Sequence, residues 1–138
     1  MNGERNATWK GMNWIRQDAR LAIYLRDRFT CLYCGSDLTA HLPGQLTLDH
    51  LDSCEERAVR GEKPDNRPAN LVTACARCNY SRGAKPWRDF APGGAIDRIE
   101  MTVAEPLNRA LARAILAGEV NLDAESLRGG AGEGTTAG

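Results

Sequence analysis

Aromatic residues are scarce in this chain, with two phenylalanines, three tyrosines and three tryptophans among 138 residues. A large interior is therefore excluded, and the core must be modest. Histidine is scarcer still, with two in all. Net charge is absent, since 18 Lys/Arg face 18 Asp/Glu. That rules out a uniformly basic coat, so any nucleic-acid contact has to be local. No apolar run approaches the roughly 20 residues of a membrane-spanning helix; the densest, "LAIYL", has five. No membrane partner is expected. The opening "MNGERNATWKG" lacks the apolar centre of a signal peptide, which points to a cytoplasmic protein.

What is present fits one globular domain. The neutral total hides a split: residues 1–90 carry 14 Lys/Arg and 11 Asp/Glu, whereas residues 91–138 carry 4 and 7. Four of the five cysteines form two C-x-x-C units, "CLYC" (Cys31, Cys34) and "CARC" (Cys75, Cys78). Without a secretion signal such pairs read as metal ligands before disulfides. Four thiolates suit a tetrahedral, structural Zn²⁺, in preference to free thiols or a redox pair. The 40 residues between Cys34 and Cys75 exceed the gap of a simple zinc ribbon, so something is inserted between the two halves of the clamp. Cys54 reads as a free thiol.

Periodicity places the elements. Residues 14–28 predict a helix with Ile15, Ala19, Ala22 and Ile23 on one face. "LTLDHL" (46–51) alternates as a strand, so that Asp49 and His50 point to opposite faces. Residues 52–69 read as a long polar loop and "NLVTA" as a second strand. "CARCNYSRGAK" reads as a knuckle turning into a short helix. A further helix is predicted over 103–117, with a Thr102/Glu105 capping box and Gly118 as its stop. Its apolar face with few aromatics favours packing on the chain's own core over pairing with a second subunit or a larger protein partner. His41 reads as a surface residue, and Trp87 and Phe90 as core plugs. From Ser126 the chain has too little apolar material to fold.

The order of these pieces, "CLYCGSDL", "LTLDHLDS", "NLVTACARCNYSRG", resembles the HNH endonuclease family over residues 29–83. The resemblance implies an α+β fold: a small ββα-metal core with a structural zinc, flanked by an N-terminal and a C-terminal helix. The resemblance extends loosely over 14–28 and does not cover the C-terminal 45 or so residues; together with periodicity and composition it gives a flexible segment 1–13, a nuclease domain 14–92, a helical extension 93–125 and a disordered tail 126–138. Carried over by position, it implies that His50 is the general base and Asp49 a metal ligand. Asn70 would hold the loop, and Asn79 would bind metal in a place where many members have His. The implied cofactors are Zn²⁺ and a catalytic Mg²⁺ or Mn²⁺, and the implied partner is DNA. The setting would be a bacterial or phage-infected cell, with a phage or mobile element as one origin. Arg77, Arg82, Lys85 and Arg88, with Arg57, Arg60 and Arg67 in the loop, are the candidate phosphate contacts. The competing expectation is a non-catalytic zinc module that binds DNA or protein.

Overall fold

Two five-residue strands, β1 (Leu46–His50) and β2 (Leu71–Cys75), pair antiparallel with Leu46 opposite Cys75 and His50 opposite Leu71. The computed structural model describes residues 14–39 and 46–121. The expectations for the N-terminal segment, for His41 and for the tail lie outside those residues. Every residue of β2 is buried, because apolar clusters cover both faces of the hairpin. On one side Val72 and Ala74 meet Leu32, Tyr33, Leu38 and Ile99. On the other Leu48 and Leu71 meet Ile23, Tyr24 and Phe29. Each fully buried Ile, Val or Leu of this kind contributes about 1.5–3 kcal/mol, so the sheet is fixed from both faces.

The outward-facing backbone groups of the strands are closed by other elements, since an unpaired buried amide is costly. Helix α1 (Gln17–Arg26) ends on a buried pair. Arg26 Nη2 donates to Leu71 O at 2.6 Å, and the Thr73 amide donates to Asp27 Oδ2 at 2.8 Å. The amide of Leu32 donates to Thr73 O at 3.0 Å. The chain leaves α1 through Arg28 and Phe29, both in the left-handed region (φ 56° and 50°), which turns it into the first knuckle.

Two expectations need correction. The polar stretch after β1 is not all loop: Cys54–Val59 forms a helix, α2. Its N-terminus is a capping box, with the Ser53 hydroxyl accepting from the Glu56 amide and the Glu56 carboxylate accepting from the Ser53 amide. None of its residues is buried, so it carries no apolar stripe to betray it. The predicted helix 103–117 shortens to Arg109–Leu116, and an unpredicted helix, Gly93–Val103, precedes it. After β2 the chain forms α3 (Ala76–Arg82) and a single turn, α4 (Trp87–Phe90). Helix α5 then covers Gly93–Val103 and helix α6 Arg109–Leu116. Thr102 therefore lies in the last turn of α5, and the true cap of α6 is Asn108, whose side chain accepts from the Leu111 amide at 3.0 Å. Pro106 intervenes, with no amide hydrogen to continue a helix. Ala95 and Ile99 of α5 bury into the cluster that holds Tyr33. Helix α6 packs on α1, where Arg113 reaches Asp18 at 3.3 Å. Trp87 and Phe90 are partly buried against the core.

Candidate active site and metal centre

The two C-x-x-C units meet. The four sulfurs of Cys31, Cys34, Cys75 and Cys78 lie within 4.8 Å of one another. The turn at Gly35 (φ 82°) and the N-terminus of α3 aim backbone amides at them: Cys34 N lies 3.4 Å from Cys31 Sγ, and Cys78 N lies 3.4 Å from Cys75 Sγ. Such donors stabilise thiolate charge. Burial pushes the Cys31 and Cys78 thiols up, and the neighbouring Cys31 adds to the rise at Cys78. Burial also pushes Cys34 up, but hydrogen bonds from Ser36, Cys31 and Cys78 together outweigh it and bring the thiol down to about 7. Four sulfurs so close cannot all ionise without a cation between them, and a metal would displace their remaining protons. The donor set suits a tetrahedral Zn²⁺.

Beside this centre lies an open pocket of about 470 Å³, lined in part by Asp49, His50, Cys54, Asn79 and Tyr80. Strand β1 delivers Asp49 and His50 to it, and α3 delivers Asn79. Both amide hydrogens of Asn79 are spent on β1, with Nδ2 donating to Thr47 Oγ1 at 3.0 Å and Leu48 O at 3.2 Å. Its Oδ1 therefore points away from the strand. Asp49 is buried but for a tenth of its side chain. Its Oδ2 accepts from the Tyr33 hydroxyl at 2.6 Å and from Arg82 Nη1 at 2.9 Å. Among the described residues no hydrogen bond falls on Asp49 Oδ1. Two hard oxygen donors thus face one pocket, the chemistry that suits a hydrated Mg²⁺ or Mn²⁺.

His50 is held on both sides. Its Nε2 lies 2.8 Å from Asn66 Oδ1, and its ring lies against Trp14, tilted by 34° with centroids 4.8 Å apart. An amide oxygen only accepts, so neutral His50 carries its proton on Nε2 and leaves a lone pair on Nδ1. The Cys54 sulfur lies 3.8 Å from that Nδ1. Asn70 is not in the pocket. It is buried behind it, its Oδ1 accepting from the Asp52 amide and its Nδ2 donating to the carbonyls of Asp52 and Asp65. It joins the start and end of the segment between the strands, the segment that carries Asn66.

Comparison with known families places this arrangement. Residues 31–85 match the family model described as HNH endonuclease. Over this segment, 55 of its 138 residues, the chain is similar to the HNH endonuclease family. Over 79 residues, 57% of its length, it is 32% identical to the CRISPR-associated endonuclease Cas9 of Corynebacterium diphtheriae. The aligned stretch is 6% of that relative, which is a far longer protein. No solved structure matches the chain. The HNH segment spans both knuckles, both strands and α3, so the metal centre and the pocket fall inside it. No helix among the described residues is long and apolar enough to cross a membrane.

The basic residues divide by environment. Arg82, expected to face phosphate, is fully buried. Its guanidinium donates to Asp49, to the carbonyls of His50, Leu51 and Lys85, and lies 3.5 Å from Glu56. No donor is left for DNA, because a buried charge must have every donor matched. In the segment between the strands Arg57 and Arg60 pair with Asp52 and Glu62, and Arg67 pairs with Asp65. Arg88 pairs with Glu100 and lies over the Trp87 ring. Arg77 is exposed beside the metal centre, and Lys85 is exposed with its ammonium on Ser81 O. Three residues around the pocket escaped the sequence reading: Trp14, Tyr33 and Asn66. Tyr33 lies inside "CLYC", but nothing in one dimension shows that its hydroxyl reaches Asp49, 16 residues on.

Proposed function

We propose that the chain is a metal-dependent endonuclease that hydrolyses DNA phosphodiester bonds. The observation that carries this is the convergence of Asp49, His50 and Asn79 on one pocket, with His50 held at Nε2 by Asn66 so that Nδ1, beside the Cys54 sulfur, carries the lone pair. Asp49 Oδ1 and Asn79 Oδ1 would hold Mg²⁺ or Mn²⁺. When bound, the ion supplies neutralising charge for the phosphate and the departing 3′ oxygen. His50 takes a proton from a water molecule at Nδ1. The water oxygen bonds to phosphorus as the bond to the 3′ oxygen breaks, and that oxygen is protonated from solvent. Asn70 keeps the loop closed so that Asn66 stays on His50. Arg77 and Lys85 are the phosphate contacts, local ones, in keeping with a chain of no net charge. The match to a small part of a much longer endonuclease is consistent with the domain working beside a larger protein partner.

The test is a supercoiled-plasmid assay with EDTA, Mg²⁺ or Mn²⁺, alongside His50→Ala. Cleavage should need the metal and fall about 10²–10⁴-fold in the variant, with zinc content unchanged. DNA binding without cleavage in either metal would instead mark a zinc-stapled binding module.

A further inference from the structure

Asp49 has two oxygens, and the structure treats them differently. Oδ2 receives two donors from two different elements, the Tyr33 hydroxyl at 2.6 Å and Arg82 Nη1 at 2.9 Å. Oδ1 receives none among the described residues and belongs to a side chain that lines the pocket. A carboxylate pinned at one oxygen by two converging donors cannot spin about its terminal bond without losing both, so the other oxygen is aimed. The Tyr33 ring is itself immobilised. It is buried, and it meets Phe90 edge-on with centroids 5.1 Å apart. The Tyr33 backbone lies between Cys31 and Cys34, and the neighbouring Leu32 is bound at its amide by Thr73 O and at its carbonyl by Arg98.

From this geometry we propose that Tyr33 is a positioning residue for the catalytic metal: the zinc knuckle carries its hydroxyl to Asp49 Oδ2 and so presents Oδ1 to the divalent ion. The knuckle then does more than close the fold. It delivers an orienting hydrogen bond to the neighbouring ion's ligand, with Arg82 supplying the second from α3. Outer partners of this kind govern metal affinity as well as turnover. The inference rests on the nuclease reading, and its test is chosen to separate the two.

Tyr33→Phe keeps the ring, its core contacts and the knuckle, and removes only the hydroxyl. Mn²⁺ binding to the zinc-loaded protein is followed by loss of the free-ion electron paramagnetic resonance signal, with Asp49→Ala as control. The expected result is a Kd for Mn²⁺ raised about 10-fold in Tyr33→Phe, with zinc content and thermal midpoint close to wild type, and binding abolished in Asp49→Ala. An unchanged or tighter Kd in Tyr33→Phe, with Asp49→Ala still losing the ion, overturns the inference and leaves the nuclease reading standing. If wild type binds no Mn²⁺, or Asp49→Ala binds it equally well, the reading itself fails and the inference falls with it.

Discussion

Asn66 Oδ1 sits 2.8 Å from Nε2 of His50, and this contact sets which ring nitrogen is the base. Asn66→Ala should release the ring to both tautomers, with Trp14 still packed against it. Turnover should fall roughly 10-fold with KM little changed, a loss of orientation and not of binding. Steady-state cleavage kinetics on a short duplex decide it; wild-type turnover in the variant would show that Trp14 alone orients the ring.

Zinc loading should release protons. Cys31 and Cys78 hold theirs above the ordinary thiol range, whereas the hydrogen bonds at Cys34 bring its thiol down to about 7. Metal affinity should therefore rise with pH, because deprotonated sulfur is the ligand. Calorimetry in buffers of differing ionisation heat measures the release, and an affinity independent of pH would mean that the thiolates are preformed.

Removing the zinc, or replacing Cys75 by Ser, should unfold the domain and not only loosen a loop. Cys75 ends β2 and caps α3, so the sheet and the Asn79 helix lose their junction together. Structural zinc supplies on the order of 10 kcal/mol of apparent binding energy in small domains, as much as the whole stability of many. Circular dichroism during chelation should show a single cooperative loss.

The segment between the strands should loosen in acid before the core does. Hydrogen bonds from Arg60 hold the Asp52 carboxyl low, and those from Arg67 hold Asp65 low. A depressed carboxylate stabilises the fold above its unfolded value of about 4 and loses that contribution as pH falls through its lower folded value. These pairs are partly exposed, so the effect is local and modest. Amide exchange from pH 6 downward should rise first in residues 52–67; simultaneous exposure of β2 would contradict this.

Thr73 offers a stabilising change. Its side chain is fully buried and its Oγ1 has no hydrogen-bond partner among the described residues. Its backbone bonds to Asp27 and Leu32 do not involve that oxygen. Thr73→Val should raise stability by about 1 kcal/mol, read as a higher urea midpoint at unchanged slope.

The hairpin and the knuckles were legible because both rest on local signals: alternation over 46–51 and paired cysteines at fixed spacing. What was not legible depends on where the chain returns in space. Helix α2 buries nothing, so periodicity is silent about it; only Ser53 and Glu56, three apart, announced it. Pro106 marked the break between α5 and α6, yet the apolar spacing beyond it ran on smoothly enough to suggest one helix. Arg82 was read by its charge as a surface residue. Its burial follows from the carbonyls of His50 and Leu51, acceptors that no one-dimensional pattern displays. Asn66 and Tyr33 touch the site across 16 residues each, a distance over which composition carries no information.

A two-stranded sheet ordinarily presents two open edges, each an invitation to a strand from another molecule. Here β2 is sealed by Arg26, Asp27 and Leu32, and β1 by Asn79 on Leu48 O and Arg82 on His50 O. The seals on β1 are a pocket residue and its buried neighbour. Substitutions at Asn79 or Arg82 therefore uncover a β edge, and self-association accompanies whatever they do to the chemistry.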